Sequence, residues 1–346
     1  MEHSETACLQ FTPSQAQMLD HASQGLANMG GPQAKGAAQQ ARAHAHRLSA
    51  TLAPPQQSLL QRFAQGSLSA LLFSRMRAPA GAPPEHLPSL ATLEHDSDCL
   101  YLAARNQLLL ALTDYRAFAF DIDNNGKLVR LVANFKGGGH APLAGEVPLQ
   151  PAELSSHSGL PLGPHTEAPY NCSVQACHGH SPAPSALILT ARWNPAGEPT
   201  QIIPLPAIIE RLGGLHALAL TSPSFDFTRS DCFVHGQGAA GNAIAMLQYN
   251  PHGGFSMRYN AYRFSLNERA CAAAGRAFET FQALLRNTPP IPFVLQADNA
   301  LLINNCRALH GRDILRDNRR LLVRLFGYSP FARPSVLNDD PLLVRG

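Results

Sequence analysis

The chain has 346 residues, 45% apolar and only 15% charged, with 27 basic and 24 acidic side chains for a net charge of +3. Such a chain can bury a sizeable core, which excludes overall disorder, and the absence of any Lys/Arg run argues against a nucleic-acid or anionic-membrane binder. The 26 glycines and 28 prolines point to many turns and short elements rather than long helical bundles.

The amino-terminal text MEHSETACLQ carries acidic residues where a signal peptide would be basic. Nowhere does the sequence sustain the roughly 18 apolar residues of a membrane span. Seven scattered cysteines with no C-x-x-C pair suggest neither a disulfide framework nor a four-sulfur zinc site. A soluble cytoplasmic protein is expected. Residues 1–35 show no clear period and are broken by Gly30-Gly31-Pro32, so they are expected to form a flexible arm ahead of a single domain over 36–346.

From Ala34 to Phe63 the Ala- and Gln-rich text favours helix, interrupted at Pro54-Pro55. Ser67–Ser74 reads as a buried strand, Pro79–Pro88 as a surface connection and Leu100–Leu112 as a buried helix. Phe118–Ile122 and Leu128–Val132 flank Asp123-Asn124-Asn125-Gly126, which predicts a hairpin. After a long Gly-, Pro-, His- and Ser-rich stretch come short strand candidates at Ala186–Arg192, Leu215–Leu220, Ala243–Tyr249, Ser256–Tyr259, Phe293–Gln296, Leu301–Asn304 and Leu321–Phe326. One amphipathic helix, Leu266–Arg286, interrupts them. The fold class expected is mainly β with flanking helices (α+β), a sandwich or barrel.

The irregular middle contains Pro164-His165-Thr166-Glu167-Ala168-Pro169-Tyr170. Residues i and i+2 of an extended segment face one side, so His165 and Glu167 can grip one ion as two members of a two-histidine, one-carboxylate facial triad. His310, in His310-Gly311-Arg312 at the end of a strand, is the candidate third ligand, and Arg319-Arg320-Leu321-Leu322-Val323-Arg324 follows it. Taken one at a time these residues also suit a surface His-x-Glu and a solvated basic strand edge. A second group, Cys172, Cys177, His178 and His180, has zinc-ligand atom types but irregular spacing, and an exposed loop is the preferred reading. Gly137-Gly138-Gly139 lacks the Lys-Ser/Thr of a phosphate loop and is read as a flexible lid.

In their order, His-x-Glu, a distant His-Gly-Arg and two arginines four apart just beyond resemble the Fe(II)/2-oxoglutarate dioxygenases, in particular the clavaminate synthase-like amino-acid oxygenases of the taurine dioxygenase superfamily. The resemblance runs from about Leu48 to Gly327. Ser67–Arg75 resembles the family's early buried strand, Ser256–Tyr259 the strand before its long helix, and Asn305–Arg312 the strand bearing the distal histidine.

The resemblance implies a double-stranded β-helix (jelly-roll) core, with inserted lid segments at about 135–164 and 222–241. It implies His165, Glu167 and His310 as iron ligands, with 2-oxoglutarate as cosubstrate and O2 as oxidant. Arg320, with Arg319 as its immediate rival, and Thr200 are implied to hold the distal carboxylate of 2-oxoglutarate, and Arg324 an anionic group of the substrate. Two departures stand out: Arg258-Tyr259-Asn260 where relatives have Arg-Tyr-Asp, and Asn304-Asn305 in place of Asp-Asn. Asn260 is thus a substrate-binding candidate that lacks a charge, which disfavours a basic substrate unless Asp226 or Asp231 supplies one. Glu167 retains the carboxylate that related halogenases lose. The implied activity is hydroxylation of an unactivated C–H of a free amino acid or small derivative, with desaturation, cyclisation or a non-catalytic jelly roll as alternatives. The only partner expected is that small molecule, with no nucleic acid and no membrane.

Overall fold

Side-chain caps and prolines set where the first helices begin. A computed structural model of the chain describes residues 5–143, 154–170, 175–177, 179–228, 241–250 and 254–346. Strand β1 (Thr6–Gln10) leads into helix α1 (Pro13–Asn28), where the Gln15 N–H donates to Thr12 Oγ1 and the Thr12 N–H donates back to the Gln15 side chain. Helix α2 (Ala37–Ser49) stops short of Pro54-Pro55, which restart the chain as α3 (Pro54–Ala64). After β2 (Ala70–Ser74) and the short α4 (Leu90–Leu93), the Asp96 carboxylate accepts the Cys99 N–H and starts α5 (Ser97–Leu112), a helix buried along nearly its whole length.

The remaining strands are β3 (Arg116–Phe120), β4 (Arg130–Ala133), β5 (Leu162–His165), β6 (Ala186–Trp193), β7 (Pro199–Pro204), β8 (Phe225–Phe227), β9 (Gly241–Ile244), β10 (Leu247–Asn250), β11 (Gly254–Met257), β12 (Phe264–Leu266), β13 (Ile291–Val294), β14 (Ala300–Asn304), β15 (Ala308–Arg312), β16 (Leu321–Tyr328), β17 (Val336–Asp339) and β18 (Leu342–Val344). Among them lie α6 (Pro206–Leu212), α7 (Gly214–Ala219) and α8 (Ala272–Arg286). The large sheet runs β1-β2-β14-β6-β16-β3-β18-β17, with β4 also on β16, and a four-stranded sheet runs β13-β7-β15-β5. The described chain is thus a mixed α/β fold with a large sheet and eight α-helices.

Alternate residues of the large sheet bury in different places. Ile188, Leu302, Val323 and Leu325 pack with α1, α2 and α5, whereas Leu187, Leu189, Leu301 and Leu322 pack with Ile202, Leu295 and Ala308, from or beside the smaller sheet. With both faces covered, its central strands read as continuous apolar runs. A further core joins α6, α7 and α8 to β8, β10 and β11 around Phe225, Phe227, Tyr259 and Phe281. Among the described residues no helix is long and apolar enough to cross a membrane.

Several expectations are corrected. Much of the expected arm over 1–35 is ordered structure: β1 pairs in parallel with β2, and Leu19 and Leu26 of α1 enter the core shared with α5. Leu215–Leu220 is not a strand but falls largely in α7, because a short apolar run does not distinguish the two. Ala243–Tyr249 divides between β9 and β10, and the expected helix from Leu266 begins only at Ala272.

The predicted hairpin around Asp123-Gly126 does not form. Both β3 and β4 pair antiparallel with β16, at Phe326–Tyr328 and Leu321–Arg324 respectively, so the chain leaves one edge of β16 and rejoins it further along. The glycine triplet is packed rather than open: the Gly159 N–H donates to Gly137 O at 2.8 Å, and a Cβ on Gly139 would lie 2.9 Å from Leu315 O.

Candidate functional site

Antiparallel pairing of β15 with β5 places His310 opposite His165, while Ile202 of β7 lies opposite His310 on its other side. The two imidazole centroids are 4.2 Å apart. Between the two candidate ligands, Thr166 turns away and is buried; its N–H donates to Tyr259 O at 2.8 Å, and its hydroxyl accepts the Tyr259 N–H at 3.1 Å. His165 and Glu167 are thereby left facing the same side, as extended spacing requires. The Glu167 N–H donates to Asn305 Oδ1 at 2.8 Å, and the Asn305 amide donates to Pro184 O at 2.9 Å, so Asn305 fixes the backbone under the carboxylate.

His165, Glu167 and His310 each offer a ligand atom, all within 4.8 Å of one another. His165 Nδ1 lies 2.8 Å from Gly163 O; as the donor there, it leaves Nε2 with a lone pair for a metal. Burial, reinforced by His310, pushes the His165 pKa down to about 4, so the ring is neutral at neutral pH. His310 Nδ1 is buried with no hydrogen-bond partner among the described residues, and His310 Nε2 stands 3.5 Å from Glu167 Oε1. Burial alone would raise the Glu167 pKa, but Arg324 and the two histidines outweigh it and hold the carboxyl well below the usual range. Two imidazoles and a carboxylate fit Fe(II).

The triad lines a cavity of about 130 Å³ that also takes in Arg320, Thr200, Arg324 and Asn260. Arg320 and Arg324 share the inner face of β16 and its approach, with Leu322 between them, about 13 Å apart along the strand. Arg320 is 2% exposed; its Nη2 donates to Thr200 Oγ1 at 3.1 Å, and its Nε has no partner among the described residues. Burial lowers its pKa to about 10, and burial together with Arg320 lowers that of Arg312, also on the cavity wall, to about 9. A buried cationic fork of this kind suits a carboxylate. Arg319 is turned away from the cavity, its Nε and Nη2 on Asp317 at 3.0 and 2.7 Å.

Asn260 forms a backbone bridge with His165, and its amide donates to the Tyr170 hydroxyl at 3.2 Å. Arg324 makes contacts within the protein: Nη1 donates to Glu167 Oε1 at 2.9 Å, and Nη2 lies 3.4 Å from Asp123 Oδ2. Asp123 also pairs with Arg130, whose Nε donates to Ser156 Oγ at 2.9 Å. Sequence reasoning missed Asp123 and Arg130, having read Asp123 only as a turn residue. The available signal was Arg130 itself, an arginine within the apolar run Leu128–Val132 that needs a buried acid. Asp226 is held by the Asn267 amide at 2.8 and 3.0 Å and does not line the cavity. Asp231, Cys172 and His178 lie outside the described residues.

No protein-family model and no curated protein matches the chain. Solved structures do. Asparagine oxygenase, in complex with Fe(II), 2S,3S-3-hydroxyasparagine and succinate, matches at TM-score 0.71 and 17% identity, over 98% of this chain and 99% of that one. The non-haem iron oxygenase OrfP, with Fe, succinate and (3S)-hydroxy-L-Arg, matches at TM-score 0.65 and 19% identity, over 93% and 94%. The OrfP complex with Fe and alpha-ketoglutaric acid matches at TM-score 0.63 and 19% identity, over 92% and 93%. The chain has the fold of asparagine oxygenase and OrfP. On this oxygenase fold, β5, β15 and β16 carry or adjoin His165, Glu167, His310, Arg320 and Arg324.

Proposed function

We propose that this chain is an Fe(II)- and 2-oxoglutarate-dependent oxygenase that hydroxylates an unactivated C–H of a free amino acid or small amino-acid derivative, releasing succinate and CO2. The two facing sheets are read as the halves of a double-stranded β-helix, with His165, Glu167 and His310 as its metal ligands. The observation that carries this reading is the placement in one cavity of that triad and of Arg320 hydrogen-bonded to Thr200.

Fe(II) bound by the triad supplies the redox chemistry that couples decarboxylation of 2-oxoglutarate to oxygen insertion from O2. Arg320 and Thr200 hold the distal carboxylate of 2-oxoglutarate and fix its direction along β16. Leu187, Leu189 and Leu322 keep water from that segment of the cavity. Arg324 and Asn260 orient the substrate, and Leu154, Ser155 and Ser156, from the inserted segment at 135–164, line the same cavity.

The test is anaerobic reconstitution with Fe(II), followed by 2-oxoglutarate, O2 and a panel of amino acids and derivatives. Succinate release coupled to a product heavier by one oxygen atom is expected. No succinate with any member of the panel or without one would contradict the proposal.

A further inference from the structure

Glu167 shares its surroundings with a charge relay that the ligand set does not use. Arg324 Nη1 donates to Glu167 Oε1 at 2.9 Å, the same oxygen that lies 3.5 Å from His310 Nε2. Behind Arg324 stands Asp123, 3.4 Å from its Nη2 and itself paired with Arg130. Side chains of Asp123, Arg130 and Arg324 are each at most 7% exposed, so their charges act on one another with little screening by water.

We infer that Asp123, acting through Arg324, sets how strongly Glu167 binds the metal; the inference rests on the oxygenase reading of the triad. Arg324 opposes a divalent cation in two ways. Its positive charge repels the ion, and its N–H competes for lone-pair density on Glu167 Oε1. Asp123 counters both, because it adds a negative charge close by and takes a share of the Arg324 guanidinium. Removing Asp123 leaves Glu167 as the one acidic partner of Arg324 among the described residues, whereas removing Arg324 frees the carboxylate. Substitutions at these two neighbours therefore shift metal affinity in opposite directions, which loss of packing at either site would not do. Asp123 and Arg324 are positioning residues in this respect, since neither is a ligand.

The experiment titrates Co(II) into the full chain without oxygen, read by calorimetry and by the visible absorption of the bound ion. Wild type is expected to bind one equivalent and His165→Ala to lose it. Asp123→Asn is expected to bind about tenfold more weakly and Arg324→Met about tenfold more tightly, with the double variant following Arg324→Met, since Asp123 acts only through that arginine. Arg324→Lys, which keeps the charge, stays within about threefold of wild type on the same electrostatic argument. Should Asp123→Asn fail to fold, Asp123→Glu takes its place, expected to retain wild-type affinity while Arg324→Met tightens. Single variants that shift affinity the same way, or an Arg324→Met that does not tighten it, overturn the inference. Wild type that fails to bind one equivalent, or His165→Ala that binds as well, removes the oxygenase reading instead.

Discussion

His310 and His165 are cross-strand partners, brought to a 4.2 Å ring separation by the register of β15 on β5. Their geometry therefore depends on how closely the two strands approach. Gly311 is what permits that approach, because a Cβ there would lie 2.5 Å from Leu162 O. Gly311→Ala is expected to push β5 away at a cost of about 1–3 kcal/mol and to weaken metal binding markedly. Thermal melting and metal stoichiometry check this; an alanine variant with wild-type values for both would mean that the strands have slack.

The ligand assignment makes a direct prediction. His165→Ala and His310→Ala should each lose stoichiometric iron, and Glu167→Ala should lose hydroxylation while sparing part of the 2-oxoglutarate affinity. Metal analysis of the purified variants decides the first point, and product mass the second.

For 2-oxoglutarate, truncating one partner of a buried charge pair costs about 2–5 kcal/mol, so Arg320→Ala should raise KM for the cosubstrate by roughly 30-fold or more. Thr200→Val removes one hydrogen bond, worth about 0.5–1.5 kcal/mol. Arg319→Ala should leave KM unchanged, since its guanidinium is committed to Asp317. A strong effect at Arg319 with none at Arg320 would reverse this assignment.

Substrate charge is the next expectation. The carboxylates that line the cavity with Asn260, Asp123 and Glu167, are already paired with arginines, and Asp226 is committed to Asn267 and to the Ala243 N–H. A neutral or acidic amino acid should therefore be preferred over free arginine or lysine, and Asn260→Asp should shift preference toward basic side chains. Efficient turnover of arginine by the wild type, with little on neutral amino acids, would refute this.

Stability should also depend on pH through His157. Its Nε2 lies 2.9 Å from Leu131 O and its ring packs edge-on against Phe135, and burial together with the nearby Arg130 lowers its pKa to about 4. Because the unfolded histidine titrates near 6.5, the unfolded state binds more protons between these values. This contribution is complete above about pH 6.5, falls as the pH drops toward 4, and changes no further below that. Melting temperatures of wild type and His157→Gln across this range should show a shallower slope in the variant.

Two of the candidate ligands could be read from the sequence because their spacing is local: His165 and Glu167 need only an extended backbone to share a side. The same holds for the Arg320 and Arg324 pair, whereas His310 is found only through the order of motifs in the resemblance. What stayed hidden depends on partners distant in sequence. The Asp-Asn-Asn-Gly turn carries the chemistry of a hairpin, but β16 captures both flanking segments and overrides it. β1 looks irregular until β2, more than sixty residues away, supplies its pairing. Asp123 is a turn residue by composition, and only the tertiary fold shows that its carboxylate faces Arg324.

The detour between β3 and β4 has a consequence for how this scaffold can vary. The chain departs from and returns to a single edge of β16, so residues 121–129 lie outside the order of the sheet, anchored by buried Ile122 and Leu128 and by the Asp121 N–H on Val344 O. That anchoring delivers position 123 to a fixed spot beside Arg324. A single substitution at position 123 can thus retune the charge at the cavity wall while the surrounding strands keep their places.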